Sequence, residues 1–136
     1  MQHTLFMDKY PTQHLDLLKA ETSFKSVDEI IAFFRSKVEA DPRACLIAEF
    51  DHYAHTRSLP EGEIAENIRA AKHLVFCFGL KLPNPLAMAP RPRSMGVCEL
   101  DDRFVIAFLE APNPAMNETM GEWVKALVKA KPDTPS

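Results

Sequence analysis

The sequence predicts an α+β fold: a single two-layer domain in which a mixed, mostly antiparallel sheet of four to five strands packs against two to three helices. Three observations lead there. Short apolar runs of strand length are interspersed with amphipathic segments at helical spacing. Two of those runs are joined by Asp101-Asp102-Arg103, a hairpin signal because aspartate favours tight turns. A chain of 136 residues, 46% of them hydrophobic, has material for one core and one domain.

The elements follow in order. Residues 1–11 read as a flexible N-terminal arm, and 14–19 (HLDLLK) as a short, imperfectly alternating first strand. Ser26, with Glu29 three residues later, forms a capping box ahead of Ile30, Ile31, Phe33, Phe34 and Val38. The expected helix spans 27–40 and stops at Asp41-Pro42, because the residue before proline disfavours the helical region. Residues 44–50 (ACLIAEF) are apolar almost throughout, which suits a strand buried on both faces. Ile64, Ile68 and Ala71 recur at helical spacing and predict a helix over 62–72. The run 74–79 (LVFCFG) is the most strand-like in the chain and predicts a central strand closed by Gly79. Four prolines then forbid a regular element over 80–94. Residues 95–100 and 104–110 form the hairpin. Met116, Met120, Trp123, Val124, Leu127 and Val128 fall on one stripe of a last helix, about 115–130, with Trp123 as a core or dimer anchor. The domain therefore runs over 12–130, and 131–136 reads as a disordered tail.

Composition narrows the function. A net charge of −3 with interspersed signs lacks the footprint of a nucleic-acid binder. No apolar stretch is long enough to span a bilayer, and the first residues lack the pattern of a signal peptide, so a cytoplasmic address is expected. With four glycines the chain has no phosphate-binding or dinucleotide fingerprint. Cys45, Cys77 and Cys98 are odd in number, widely spaced and set in apolar runs, which predicts buried, reduced thiols.

The chain resembles a small group of bacterial proteins that share FDHYAHT, FCFG, LPNP, RPRS and FLEAPNP, here at 50–56, 76–79, 82–85, 91–94 and 108–114. More remotely, residues 26–114 are similar to the family catalogued as domain of unknown function 302, through Ala54-His55, Phe78-Gly79, Asn84-Pro85 and the hairpin ending near Asn113-Pro114. That resemblance implies an α+β fold with a tendency to dimerise, and no reaction. Here LKLP separates Phe78-Gly79 from Asn84-Pro85, and Arg93-Ser94-Met95-Gly96 replaces the usual Leu-Pro before the hairpin, so a shared pocket would differ in shape.

Two stretches carry candidate chemistry. In Asp51-His52-Tyr53-Ala54-His55, two imidazoles and a carboxylate have spacing that permits zinc or iron ligation by His52, His55 and Asp51, or acid–base work by His55 with Asp51. The more economical reading of the same residues is a turn in which Asp51 caps the chain and the others satisfy local backbone groups. The second stretch is the proline-stiffened loop bearing Lys81, Asn84, Arg91 and Arg93, whose guanidinium forks suit a carboxylate or phosphate. The alternative is that its arginines pair with Glu99, Asp101, Asp102 or Glu110. Together these features predict a cytoplasmic homodimer that binds a small anionic ligand between the histidine turn 51–55 and the arginine loop 81–93, with Tyr53 contributing. An enzyme centred on His52 and His55 is the competing class, and a dimerisation or interaction module without a ligand is the third.

Overall fold

A computed structural model describes residues 1–132. Among the described residues the fold is α+β, with one antiparallel sheet of six strands and three α-helices. The strands are β1 (Gln2–Phe6), β2 (Tyr10–Leu18), β3 (Cys45–Asp51), β4 (Ala70–Cys77), β5 (Arg93–Glu99) and β6 (Arg103–Leu109), in the order β1-β2-β6-β5-β4-β3. Every neighbouring pair is antiparallel. The expected four to five strands become six because residues 2–6, read as part of a flexible arm, pair with 10–14. Met7 and Asp8 take positive φ at the turn of this hairpin, a geometry that apolar patterning does not reveal. The expected disordered tail 131–136 lies mostly outside the described residues.

Helix α1 (Val27–Ala40) is the one the capping signal predicts: the Ser26 hydroxyl accepts from the Glu29 amide at 3.1 Å. Its buried stripe, Ile30, Ile31, Phe34 and Val38, lies against β3, β4 and β5. Lys72–Asp28 at 2.6 Å and the Arg35–Glu49 pair tie the helix to the sheet. Helix α3 (Pro114–Leu127) adds Met120, Trp123, Val124 and Leu127 to the same core. Both helices cover one face, where Leu17, Leu74, Phe76, Met95, Val97, Phe104, Ile106 and Phe108 are buried. The alternate positions, among them His14, Ala71, His73, Gly96, Cys98, Val105 and Ala107, are only half-buried on the opposite face.

Three expectations shift. Strand β3 is not buried on both faces: it is the sheet's edge, with Ile47 displaced at a bulge and most of its side chains exposed. The strand predicted over 74–79 is interior but second from the edge, and it begins at Ala70. No helix spans 62–72. A Cβ at Gly62 would collide with the Thr56 carbonyl oxygen, so the chain makes a tight glycine turn there. Ladder pairing of Ala70–Lys72 with β5 then overrides the local helical spacing. A short α2 (His52–Ser58) lies within the histidine stretch instead.

Candidate functional site

The two candidate stretches do not meet. Helix α2 leaves the C-terminal end of β3, where Asp51 pairs with Lys72 near the start of β4. The arginine loop departs from the other end of β4, after Cys77. Lys72 and Cys77 are roughly 17 Å apart along the strand at about 3.3 Å per residue. The expected pocket between the histidine turn and the arginine loop is therefore replaced by two separate places.

At the first place, Asp51 caps α2, its carboxylate accepting from the Ala54 amide at 2.9 Å. The His52 and His55 rings each pack 5.5 Å from the Phe50 ring, and His52 lies 5.4 Å from His73. Both His52 and His55 are exposed, and Tyr53 is half-exposed on the same helix. Among the described residues no group of three or more His, Cys, Asp or Glu side chains is placed to hold a metal ion. The set His52, His55 and Asp51 is thus not assembled as a ligand cage, because helix formation commits Asp51 to the backbone. His73, which falls between the expected helix over 62–72 and the expected strand over 74–79 and was no candidate in the sequence, is the chemically unusual member. Its Nδ1 is buried without a partner, and burial together with neighbouring His52 lowers its pKa below the ordinary imidazole value.

The second place is a cleft of about 580 Å³ walled by the arginine loop, the ends of β4 and β5, and the start of α3. Gly79, at φ 49°, turns the chain out of β4 and into the loop. Arg93, on the first residue of β5, is 8% exposed. Its Nη1 donates to the Pro90 carbonyl at 2.9 Å and its Nη2 to the Leu109 carbonyl, while Nε has no partner. Burial pulls this guanidinium below its ordinary pKa. Arg91 also lines the cleft, with a buried Nη1 that lacks a partner, and Lys81 lines it from the exposed loop.

No carboxylate lines the cleft among the described residues. The acids that sequence reading offered to the arginines are engaged elsewhere: Glu99 with Lys19 at 2.8 Å, Asp101 with Arg69 at 2.7 Å, Asp102 with Arg103 at 2.9 Å, and Glu110 with Gln13 at 3.2 Å. Asn84 does not line the cleft. It caps a 3₁₀ turn over Pro85–Met88, accepting from the Leu86 amide at 2.9 Å, and so shapes the loop from outside.

Two contributors were missed. Arg43 lies 5.6 Å over the Phe78 ring in the cleft wall. Its charge is already matched by Asp41, whose carboxyl it holds below the ordinary range. The start of α3 is the other: Asn113 and Ala115 line the cleft, placing the positive end of a helix dipole beside it. The Ala115 amide is already taken by the Asn113 side chain at 3.0 Å.

Fold and site together define a class: an antiparallel α+β protein with a cationic, apolar-walled cleft at one end of its sheet. The chain belongs to the family described as "Family of unknown function (DUF6858)", whose model matches residues 1–129. Neither the curated proteins nor the solved structures contain a match. No helix among the described residues is long and apolar enough to cross a membrane.

Proposed function

We propose that the protein binds a small organic anion in this cleft, with the anionic head on Arg91 and Arg93 and an apolar body against Phe78, Pro90 and Met116. The observation that carries the reading is a pair of guanidinium groups with buried, unpartnered nitrogens in a cleft lined by no carboxylate. Buried N–H groups left unpaired are costly, and a carboxylate or phosphate oxygen is the acceptor that arginine geometry suits. The apolar walls favour a ligand with a hydrocarbon or aromatic portion over a bare inorganic anion.

Isothermal titration with benzoate, phenyl phosphate and inorganic phosphate tests this. Saturable binding of at least one aromatic anion is expected, about 10- to 150-fold weaker in Arg91→Ala, as suits loss of a charged hydrogen bond of about 1.5–3 kcal/mol. If all three anions bind wild type and Arg91→Ala equally, or none binds, the reading is wrong.

A second copy of the chain covering the open sheet face belongs to the same proposal. The supporting observation is that Ala71, Gly96, Cys98 and Ala107, small residues in interior strands, occupy the face away from α1 and α3. A twofold axis would place this face against itself with close backbone approach. Sedimentation equilibrium should give twice the chain mass for wild type and the single-chain mass for Ala107→Arg. Wild type sedimenting at the single-chain mass at every concentration removes this part of the proposal.

A further inference from the structure

Two of the three cysteines stand in a relation that their sequence spacing conceals. Cys45, at the start of β3, and Cys77, at the end of β4, are direct partners across the antiparallel ladder. Opposite residues in such a ladder have Cα atoms about 4.5–5.5 Å apart and project to the same face. That separation lies within the span of about 4.4–6.8 Å that a disulfide bridges. Both thiols are free; Cys45 is exposed on the edge strand, and Cys77 is half-buried. The expectation of buried thiols therefore fails for Cys45 and is met only in part for Cys77 and Cys98.

The surroundings favour reaction. Cys77 lines the cationic cleft together with Arg93. Electropositive, partly exposed surroundings are where reactive cysteines are found. Cys98 is different: its ladder partners are Ala71 and Val105, and burial pushes its thiol pKa up.

We infer that Cys45 and Cys77 form a reversible cross-strand disulfide on exposure to a peroxide, joining the edge strand to the cleft wall. The exposed Cys45 sulfur attacks one peroxide oxygen; the O–O bond breaks, and the other oxygen leaves as water after taking the thiol proton. The resulting sulfenic acid is attacked by the Cys77 sulfur, the S–O bond breaks, and a second water leaves with the Cys77 proton. The two thiols lose two electrons, and the peroxide is reduced to two waters. A dithiol reductant reverses the bridge by thiol–disulfide exchange.

The test treats the full chain with hydrogen peroxide, alkylates remaining thiols and maps peptides by mass spectrometry. Two of the three thiols should escape alkylation, a linked peptide pair should contain Cys45 and Cys77, and dithiothreitol should restore both. Cys98→Ser should keep the linkage and Cys45→Ser should abolish it, with circular dichroism confirming that each variant is folded. Full alkylation of all three thiols after peroxide, a linkage to Cys98, or a bridge between chains would overturn the inference. No anion enters this readout, so it stands or fails separately from ligand binding.

Discussion

Replacing Arg93 with alanine is expected to abolish anion binding and to lower stability by about 2–3 kcal/mol. The side chain is 8% exposed and ties two segments together, donating to the Pro90 carbonyl in the loop and to the Leu109 carbonyl at the end of β6. Hydrogen bonds from charged donors contribute about 1.5–3 kcal/mol each, and a carbonyl left without its donor adds a desolvation cost. Against this, removing the guanidinium relieves the cost of burying a charge. That relief offsets the two bonds only in part, hence a net loss smaller than their sum. Loop and strand end would then separate, and the cleft would lose both its fork and its shape. Chemical denaturation with titration of the same anions measures both effects. Arg93→Lys separates them: it should keep the charge and part of the stability while losing the planar fork, so affinity falls further than stability. An Arg93→Ala protein as stable as wild type that binds the anion equally well would refute both halves.

Truncating Trp123 to alanine should cost about 3–5 kcal/mol, the range for a large buried aromatic. Trp123 lies 5.6 Å from the Phe76 ring and 5.7 Å from the Phe78 ring, and those two rings meet edge to face at 5.7 Å. Phe76 belongs to the deep core, whereas Phe78 also forms the cleft wall under Arg43. The indole therefore couples core packing to the site. Denaturant midpoints should fall strongly, and affinity for an aromatic anion should fall in the variant that remains folded at low denaturant. A loss below about 1 kcal/mol would mean that α3 does not rely on this contact, since even one buried methylene contributes about 0.8 kcal/mol.

Much of the candidate site could be read in the sequence, residue by residue, but not as an assembly. Lys81, Arg91 and Arg93 stand out because prolines surround them, and all three line the cleft. Arg43 did not, since it follows an ordinary helix stop and reaches the cleft only by lying over Phe78. The histidines attracted attention by density, yet the imidazole in an unusual environment is His73, which comes from β4 and meets His52 only through the fold. Likewise Cys45 and Cys77 are 31 intervening residues apart in the chain and adjacent only in the ladder.

What the sequence determined by itself is local: the capped helix that begins after Ser26, the hairpin around Asp101-Asp102, the stripe of the last helix, and the α+β class they imply. These depend on interactions within a few residues, which propensity, capping and periodicity record. Tertiary structure alone decided that ACLIAEF is an edge strand, that 70–72 extend a strand instead of a helix, and that the N-terminal residues make a hairpin. It also decided that the arginine loop and the histidine turn sit at opposite ends of β4. Strand order and register are set by pairing between segments distant in the chain, and a side chain's face and neighbours follow from that pairing.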